Sequence, residues 1–354
     1  MIAQGLSPPT LAARAIDDPQ WIAFLESRPD ATVFHHPAWS RVLANSYGYR
    51  PSVLIQSDAD GAIEAGLPTL EVRFLRRRHI AALPFTDYCP PLALGPASLA
   101  RFTRGLVGWQ AQARSGDLSI HGSLVAGSGV HLVARAVRHV LPLGHPSATV
   151  LENLRGSAVE RGIRKAQRHG VEAMVSRSRE DLAVFYRLHL ETRRRLGVPV
   201  QPKRFLDLLW EHVIQPGLGF IVLARRAGRP LAGAVFLAWN GNLIYKFGAS
   251  DPHSWELRPN NLVIWTAIDW ACRNDFRQLD FGRSDLENQG LRDFKSRWGA
   301  PETPLVYSYV APSPPGSTPR LVMRAVAKLI QSSPPIVCRT LGEVLYGRVP
   351  GFAA

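Results

Sequence analysis

Hydrophobic periodicity divides the chain into two stretches that repeat one order of elements. In the second half, residues 171–176 alternate as a strand does, and Ser178 can cap a helix over 179–196 whose Leu182, Phe185, Leu188 and Leu190 lie close to one face. The segment V-P-V-Q-P (198–202) stops that helix, and a second is predicted over 203–214. Strands over 219–226 and 231–239 follow, joined by the turn Ala227-Gly228-Arg229-Pro230, and Asn240-Gly241 is a hairpin turn into a third strand, 242–249. A helix (260–274), a strand (278–281), a helix (289–298) and a strand (304–310) complete the order β-α-α-β-β-β-α-β-α-β.

The first half repeats most of this order. A strand is predicted over 11–16, helices over 19–27 and 37–47, strands over 52–56, 62–75 and 79–84, a helix over 98–114, and strands over 118–121 and 131–141. The penultimate helix is replaced by a Gly- and Ser-rich loop, 122–129. The reading is therefore two similar α/β domains: 1–145, then a basic helical linker (146–170), then 171–311. A Pro-rich linker and a basic amphipathic helical tail (312–354) follow.

Composition narrows the class. The 354 residues carry 42 basic and 28 acidic side chains, a formal charge of +14, and 46% apolar residues, which is globular and not disordered. Most of that excess, +11 of the +14, lies beyond residue 145. Only five cations are lysines (Lys165, Lys203, Lys246, Lys295, Lys328), so the lysines mark positions more sharply than the many arginines. Cys89, Cys272 and Cys338 are too few and too dispersed for a disulfide framework or a C-x-x-C knuckle. The N-terminus has no signal-peptide pattern and no stretch has the length and apolarity of a membrane span, which gives a cytoplasmic expectation. The G-x-S-x-G elbow, the Walker A loop and the G-x-G-x-x-G fingerprint are all missing, which removes hydrolase, nucleotide-switch and dehydrogenase readings.

The element order of the second half is that of the GNAT acyltransferase fold. Together with H-P-A-W (36–39), P-F-T-D-Y (84–88), R-G-I-R-K-A-Q-R-H-G-V (161–171), Y-K-F-G-A-S (245–250), L-D-F-G-R-S (279–284) and D-F-K-S-R-W-G-A (293–300), it resembles the FemAB-like branch of that superfamily. The resemblance covers about residues 10–310. It implies an α/β fold of two tandem GNAT-like domains, mixed central sheets flanked by helices, with the helical tail appended. It also implies transfer of an acyl or aminoacyl group to an amine of a cell-envelope precursor: an amino sugar, an exopolysaccharide or a lipid-linked intermediate. A peptidoglycan cross-bridge aminoacyltransferase using aminoacyl-tRNA is the second reading. A non-catalytic module for an anionic polymer or lipid head group is the third.

Candidate residues follow from this frame. Arg161, Arg164, Lys165 and Arg168 recur at i, i+3, i+4 and i+7 and share a helix face suited to phosphates, with a solvated linker helix as the competing reading. Strand 278–281 ends at Gly282 and exposes Arg283 and Ser284 in a loop, the place where open α/β sheets hold ligands. By resemblance Phe294 and Lys295 contact substrate or stabilise the reacting carbonyl, Lys295 holding an oxyanion or a phosphate. Asp280 is either a general base or the buried partner of an arginine. Tyr245 lies where GNAT domains splay their strands, with a core role as the alternative, and Asn260 and Asn261 can cap the next helix and offer N–H groups to an anion.

In the first half, Asp87 and Tyr88 match the FemAB-like pattern for an acceptor groove, against a loop-stabilising role. His35 and His36 read as caps and packing, and no metal site is expected. The segment S-W-E-L-R-P-N-N (254–261) lacks the Q/R-x-x-G-x-G/A pyrophosphate loop of CoA-using relatives, so the donor stays open between acyl-CoA and aminoacyl-tRNA, with no tightly bound cofactor. Expected partners are that donor, an envelope-precursor acceptor, tRNA in the second reading, and no DNA. Residues 319–331 form a basic amphipathic helix for an anionic membrane surface at the inner face, or one that docks on the protein body.

Overall fold

The structure, a computed structural model, describes residues 11–74, 77–113, 118–312 and 320–348. It divides into two compact units, the first within residues 1–135 and 305–317, the second within 136–304 and 318–348. The fold is mixed α/β throughout.

The first unit contains β1 (Ala12–Arg14), α1 (Pro19–Glu26), α2 (Pro37–Tyr47), β2 (Arg50–Ser57), β3 (Ile63–Phe74), β4 (Arg77–Ala82), β5 (Leu92–Ala93), α3 (Pro96–Ala113) and β6 (Leu118–Ile120). Its sheet runs β1-β2-β3-β4-β6, antiparallel except for the parallel β4–β6 pair that α3 connects. Leu54, Leu67, Phe102, Leu106, Leu118 and Ile120 form the core between sheet and helix. The side chain of Asp18 accepts hydrogen bonds from the N–H groups of Gln20 and Trp21, and Pro19 opens α1 where its missing donor costs nothing.

His36 caps α2 by accepting from the Ala38 N–H, and His35 spans Thr32 N–H and the Pro90 carbonyl at 3.1 and 2.9 Å. The two histidines are thus a cap and a loop brace, and Trp39 is fully buried.

The second unit starts within β7 (Val130–Pro142). It continues through α4 (Ser147–Asn153), α5 (Ala158–Arg168), β8 (Glu172–Ser176), α6 (Arg179–Leu196), α7 (Lys203–Leu209), β9 (Gly219–Arg226), β10 (Arg229–Trp239) and β11 (Asn242–Ser250). A 3₁₀ turn (Pro252–Leu257) leads to α8 (Pro259–Arg273), β12 (Gln278–Asp285), α9 (Gln289–Ser296) and β13 (Glu302–Val310). The sheet order is β7-β12-β11-β10-β9-β8.

The expected hairpin forms at Asn240-Gly241, both at positive φ (51° and 69°), and β11 then returns along β10. β11 and β12 are parallel and pair over only three positions, Asn242–Gln278 to Ile244–Asp280, after which β12 continues without β11. This short parallel pairing is the strand divergence expected of a GNAT domain. β13 pairs β6 over its last three residues, and residues 136–142 of β7 pair β12, so each unit is closed by the final strand of the other repeat.

The tail forms α10 (Arg320–Ser332) and α11 (Pro335–Arg348). Val326 and Ile330 of α10 and Cys338 and Leu341 of α11 pack on Tyr186 and Leu190 of α6 and on Val200. The apolar side of α10 over 326–330 is therefore docked on the unit, as one of the two expectations had it. The side chains of 320–325 lie outside the described residues. Arg194 Nε donates to the Ser333 carbonyl at 2.7 Å and fastens the junction of the two helices. No helix among the described residues is long and apolar enough to cross a membrane.

Burial shapes the acid response. Desolvation drives the pKa of His35 from 6.5 down to about 4, so the folded chain holds this imidazole neutral while the unfolded chain binds a proton. Stability therefore falls as pH drops through 6.5 and continues to fall towards 4, by up to about 3 kcal/mol from this group. Urea unfolding of the first unit should show a smaller loss between pH 7 and 4.5 in His35→Gln than in the parent chain, and equal losses would refute the assignment.

Candidate active site

The site is built on α5. Val159, Ile163 and Ala166 are buried in the core of the second unit, which leaves Arg161 and Lys165 along one edge of the helix. Ser157 caps the helix by accepting from the Glu160 N–H at 3.2 Å. Gly162 sits where α5 meets α8, since a Cβ there would lie 2.9 Å from Cγ of Asn261. The glycine lets the two helices approach until Asn261 fills the space.

Opposite α5 stands the start of α8. Arg258 occupies the N-cap position at φ 57°, a left-handed conformation uncommon for a residue with a side chain, and makes no side-chain cap. Pro259 opens the helix, so Asn260 and Asn261 fall within its first turn instead of capping it, which corrects the capping part of the expectation for that pair. The third wall is α9, whose Phe294 and, one turn on, Arg297 face the same space.

Together these elements enclose a cleft of about 500 Å³ with Trp255 on its wall. Four cations line it: Arg161, Lys165, Arg258 and Arg297, and none of its lining residues is acidic. Arg161 donates to the Gly156 carbonyl. Among the described residues, the side chains of Lys165, Arg258 and Arg297 make no hydrogen bond or ion pair, so their charge faces the cleft unneutralised. A helix N-terminus without a side-chain cap adds partial positive charge to the same space. Such a cleft is suited to a phosphate-bearing group.

Of the expected residues, Arg161, Lys165, Asn260, Asn261 and Phe294 come together here. Arg164, on the same helix, turns away and pairs with Glu160 at 2.6 Å. Arg283 is bound to Asp285 at 2.8 Å. Tyr245 packs against Phe236 and Phe281, and burial raises its hydroxyl to about 12. Asp87 and Tyr88 belong to the first unit, where the Asp87 carbonyl accepts from Tyr307 at 3.1 Å. Arg258, Arg297 and Trp255 were not anticipated. The signals were present: Arg258 precedes the helix-opening Pro259, and Arg297 follows Phe294 at i+3.

Lys295 on α9 and Asp280 and Ser284 on β12 are all buried. Lys295 is 2% exposed, and its ammonium donates to the carbonyls of Gly282 and Arg283 at 2.8 and 3.0 Å. Asp280 is the buried partner of Arg138 at 2.7 Å, and its other oxygen accepts from the Gly282 N–H at 2.8 Å. The carboxylate is thereby committed to an ion pair and a turn, which answers against free general-base geometry. Ser284 is buried and its Oγ has no hydrogen-bond partner. His139 on β7 meets Ser296 at 3.0 Å, and burial, then the Lys295 charge, hold its pKa below the ordinary value.

Residues 155–296 match the model of the GNAT acetyltransferase domain. This interval contains α5, α8, α9 up to Ser296 and most of the cleft. Among curated proteins, none matches the chain. Among solved structures, FemX aligns at a TM-score of 0.66 with 13% identity, covering 89% of this chain and 100% of its own. L-PGS from Bacillus licheniformis aligns at 0.53 with 12% identity over 90% of this chain and 97% of its own. A tandem GNAT protein from the clavulanic acid biosynthesis pathway aligns at 0.51 with 9% identity over 86% and 100%. At these identities the likeness is one of fold, and that fold is the tandem GNAT architecture. With its GNAT domain over residues 155–296, the chain is an acyltransferase.

The anchoring of Lys295 has a measurable consequence. Lys295→Met leaves two strand-end carbonyls without their donor and should lower stability by roughly 1–3 kcal/mol, read as a drop in the urea midpoint. An unchanged midpoint with lost activity would instead assign Lys295 to chemistry alone.

Proposed function

We propose that the cleft receives the phosphate-bearing end of an acyl donor, and that the chain transfers its acyl or aminoacyl group to an amine of a cell-envelope precursor. The observation that carries this reading is the set of four cations with no acidic residue among them, gathered at the uncapped start of α8. In a cleft partly screened from water, guanidinium groups bind phosphate oxygens in a fixed, bidentate geometry. Transfer then needs the acceptor amine to attack the donor carbonyl. Much of the rate would come from holding the two in register, and the rest from positive charge near the developing oxyanion. Lys295 serves this proposal indirectly: it fixes the carbonyls of Gly282 and Arg283 and so the end of β12.

Acyl-CoA and aminoacyl-tRNA share the chemistry that the cleft would recognise. The amino sugar or lipid-linked acceptor is carried by the FemAB-like resemblance, and a peptidoglycan peptide is the alternative within it. α10 leaves Lys328 and Leu329 exposed, a surface for peripheral contact with anionic lipid at the inner membrane face.

The test is the double substitution Arg258→Ala and Arg297→Ala, which removes two side chains with no bonds of their own to lose. Calorimetric affinity for acetyl-CoA, or for an aminoacylated acceptor-stem RNA, should fall roughly ten- to a hundredfold. For the RNA, the salt dependence of binding should also flatten by about one to two ions. Undiminished binding of whichever donor binds the parent chain would sink the proposal.

A further inference from the structure

The second unit has another pocket, on the far side of the 3₁₀ turn from the cleft. Its volume is about 780 Å³, a size suited to an organic molecule and larger than the cleft. One wall is a stripe of α6, with Val184, Leu188, Glu191 and Arg195 recurring at i, i+4, i+7 and i+11. Pro230, at the start of β10, adds apolar surface.

The charges of this pocket do not balance. Four arginines and two acids line it. Glu191 is matched by Arg194 at 3.5 Å, and Asp251 by Arg229 at 2.8 Å. Among the described residues, the Arg187 side chain makes no hydrogen bond or ion pair. Arg195 hydrogen-bonds to nothing through its guanidinium, which lies 4.7 Å from the ring centre of Trp255. That indole is held by its own N–H donating to Ser250 Oγ at 2.9 Å. Two cations thus stand over an apolar strip with their donors unused, one of them pre-oriented on an aromatic face.

We infer that this pocket binds an amphipathic organic anion, its acidic group met by Arg187 and Arg195 and its apolar part laid on Val184, Leu188 and Pro230. The inference is independent of what occupies the cleft. Trp255 lines the cleft and carries Arg195, so the two pockets share a wall.

Decyl phosphate, kept below its micellar concentration, is the probe, with inorganic phosphate and decanol as arms that carry only the charge or only the chain. Calorimetry on the full chain carrying Arg258→Ala and Arg297→Ala, which weaken phosphate binding in the cleft, should give one site for decyl phosphate, with at least tenfold weaker binding of each arm. Arg187→Ala with Arg195→Ala should weaken decyl phosphate at least tenfold, and Lys165→Ala in the cleft should leave it unchanged. Matched thermal melts check that the variants fold. Should the double variant melt early, Arg187→Gln alone repeats the test, because that side chain has no bond to lose. Absence of binding, equal binding of inorganic phosphate, or a loss in Lys165→Ala without a loss in the arginine variants would overturn the inference.

Discussion

The site depends on how α5 is seated against α8. Burial of Val159, Ile163 and Ala166 stabilises the seat by about 1.5–3 kcal/mol for each large side chain, and Gly162 admits Asn261 at the crossing. This contact fixes which helix edge faces the cleft, and the sequence of α5 places Arg161 and Lys165 on that edge. Glu160, which would cancel the charge if it faced the same way, is turned inward. Its carboxylate accepts from the Gly156 N–H at 2.6 Å and pairs with Arg164. One acid thus closes the helix start and neutralises an arginine on the outer side, leaving the cleft edge purely cationic.

A second constraint holds the third wall. β12 shifts register against β7 between Asp280 and Arg283, where Gly282 takes φ 70°. Such a bulge exposes backbone groups that must be satisfied inside the protein. Asp280 accepts the Gly282 N–H while paired to Arg138, and Lys295 accommodates the carbonyls of Gly282 and Arg283. Burying both a carboxylate and an ammonium is costly unless each is bonded, and here each is. Because Lys295 lies one residue after Phe294 on α9, the bonds that satisfy the bulge also set the helix that carries Phe294 and Arg297 into the cleft.

These two constraints explain what the sequence made legible. Element order follows from periodicity, and the Asn240-Gly241 hairpin and the Ser178 cap are local effects, so most elements of the second repeat were readable, whereas β12 runs on to Asp285 where a loop after Gly282 was expected. The basic stripe on α5 was visible as a stripe, but its orientation was not. Arg161 and Lys165 differ from Arg164 only through the seat on α8 and the turn of Glu160, both tertiary. The F-K pair separates for the same reason: adjacent residues on α9 point to different surroundings, one to the cleft and one to the bulge. The exchange of β7 and β13 between repeats is a pairing choice among strands of similar pattern, and no local signal encodes it.

The missing Gly-rich pyrophosphate loop gains a physical meaning from Arg258. A Gly-rich loop brings backbone N–H groups close to a phosphate because glycine tolerates left-handed turns. Arg258 adopts that left-handed turn itself, at φ 57°, and adds a guanidinium where glycine would add nothing. In the proposed function, recognition would thereby shift from backbone dipoles to side-chain charges carried by three helices. Backbone donors hold one phosphate geometry rigidly, whereas long cationic side chains follow phosphates of different spacing and respond more strongly to salt. If the proposed function holds, a cleft of this kind would favour a donor chosen by charge density over one chosen by the contour of a single pyrophosphate, and chemical selectivity would rest with the acceptor side of the reaction.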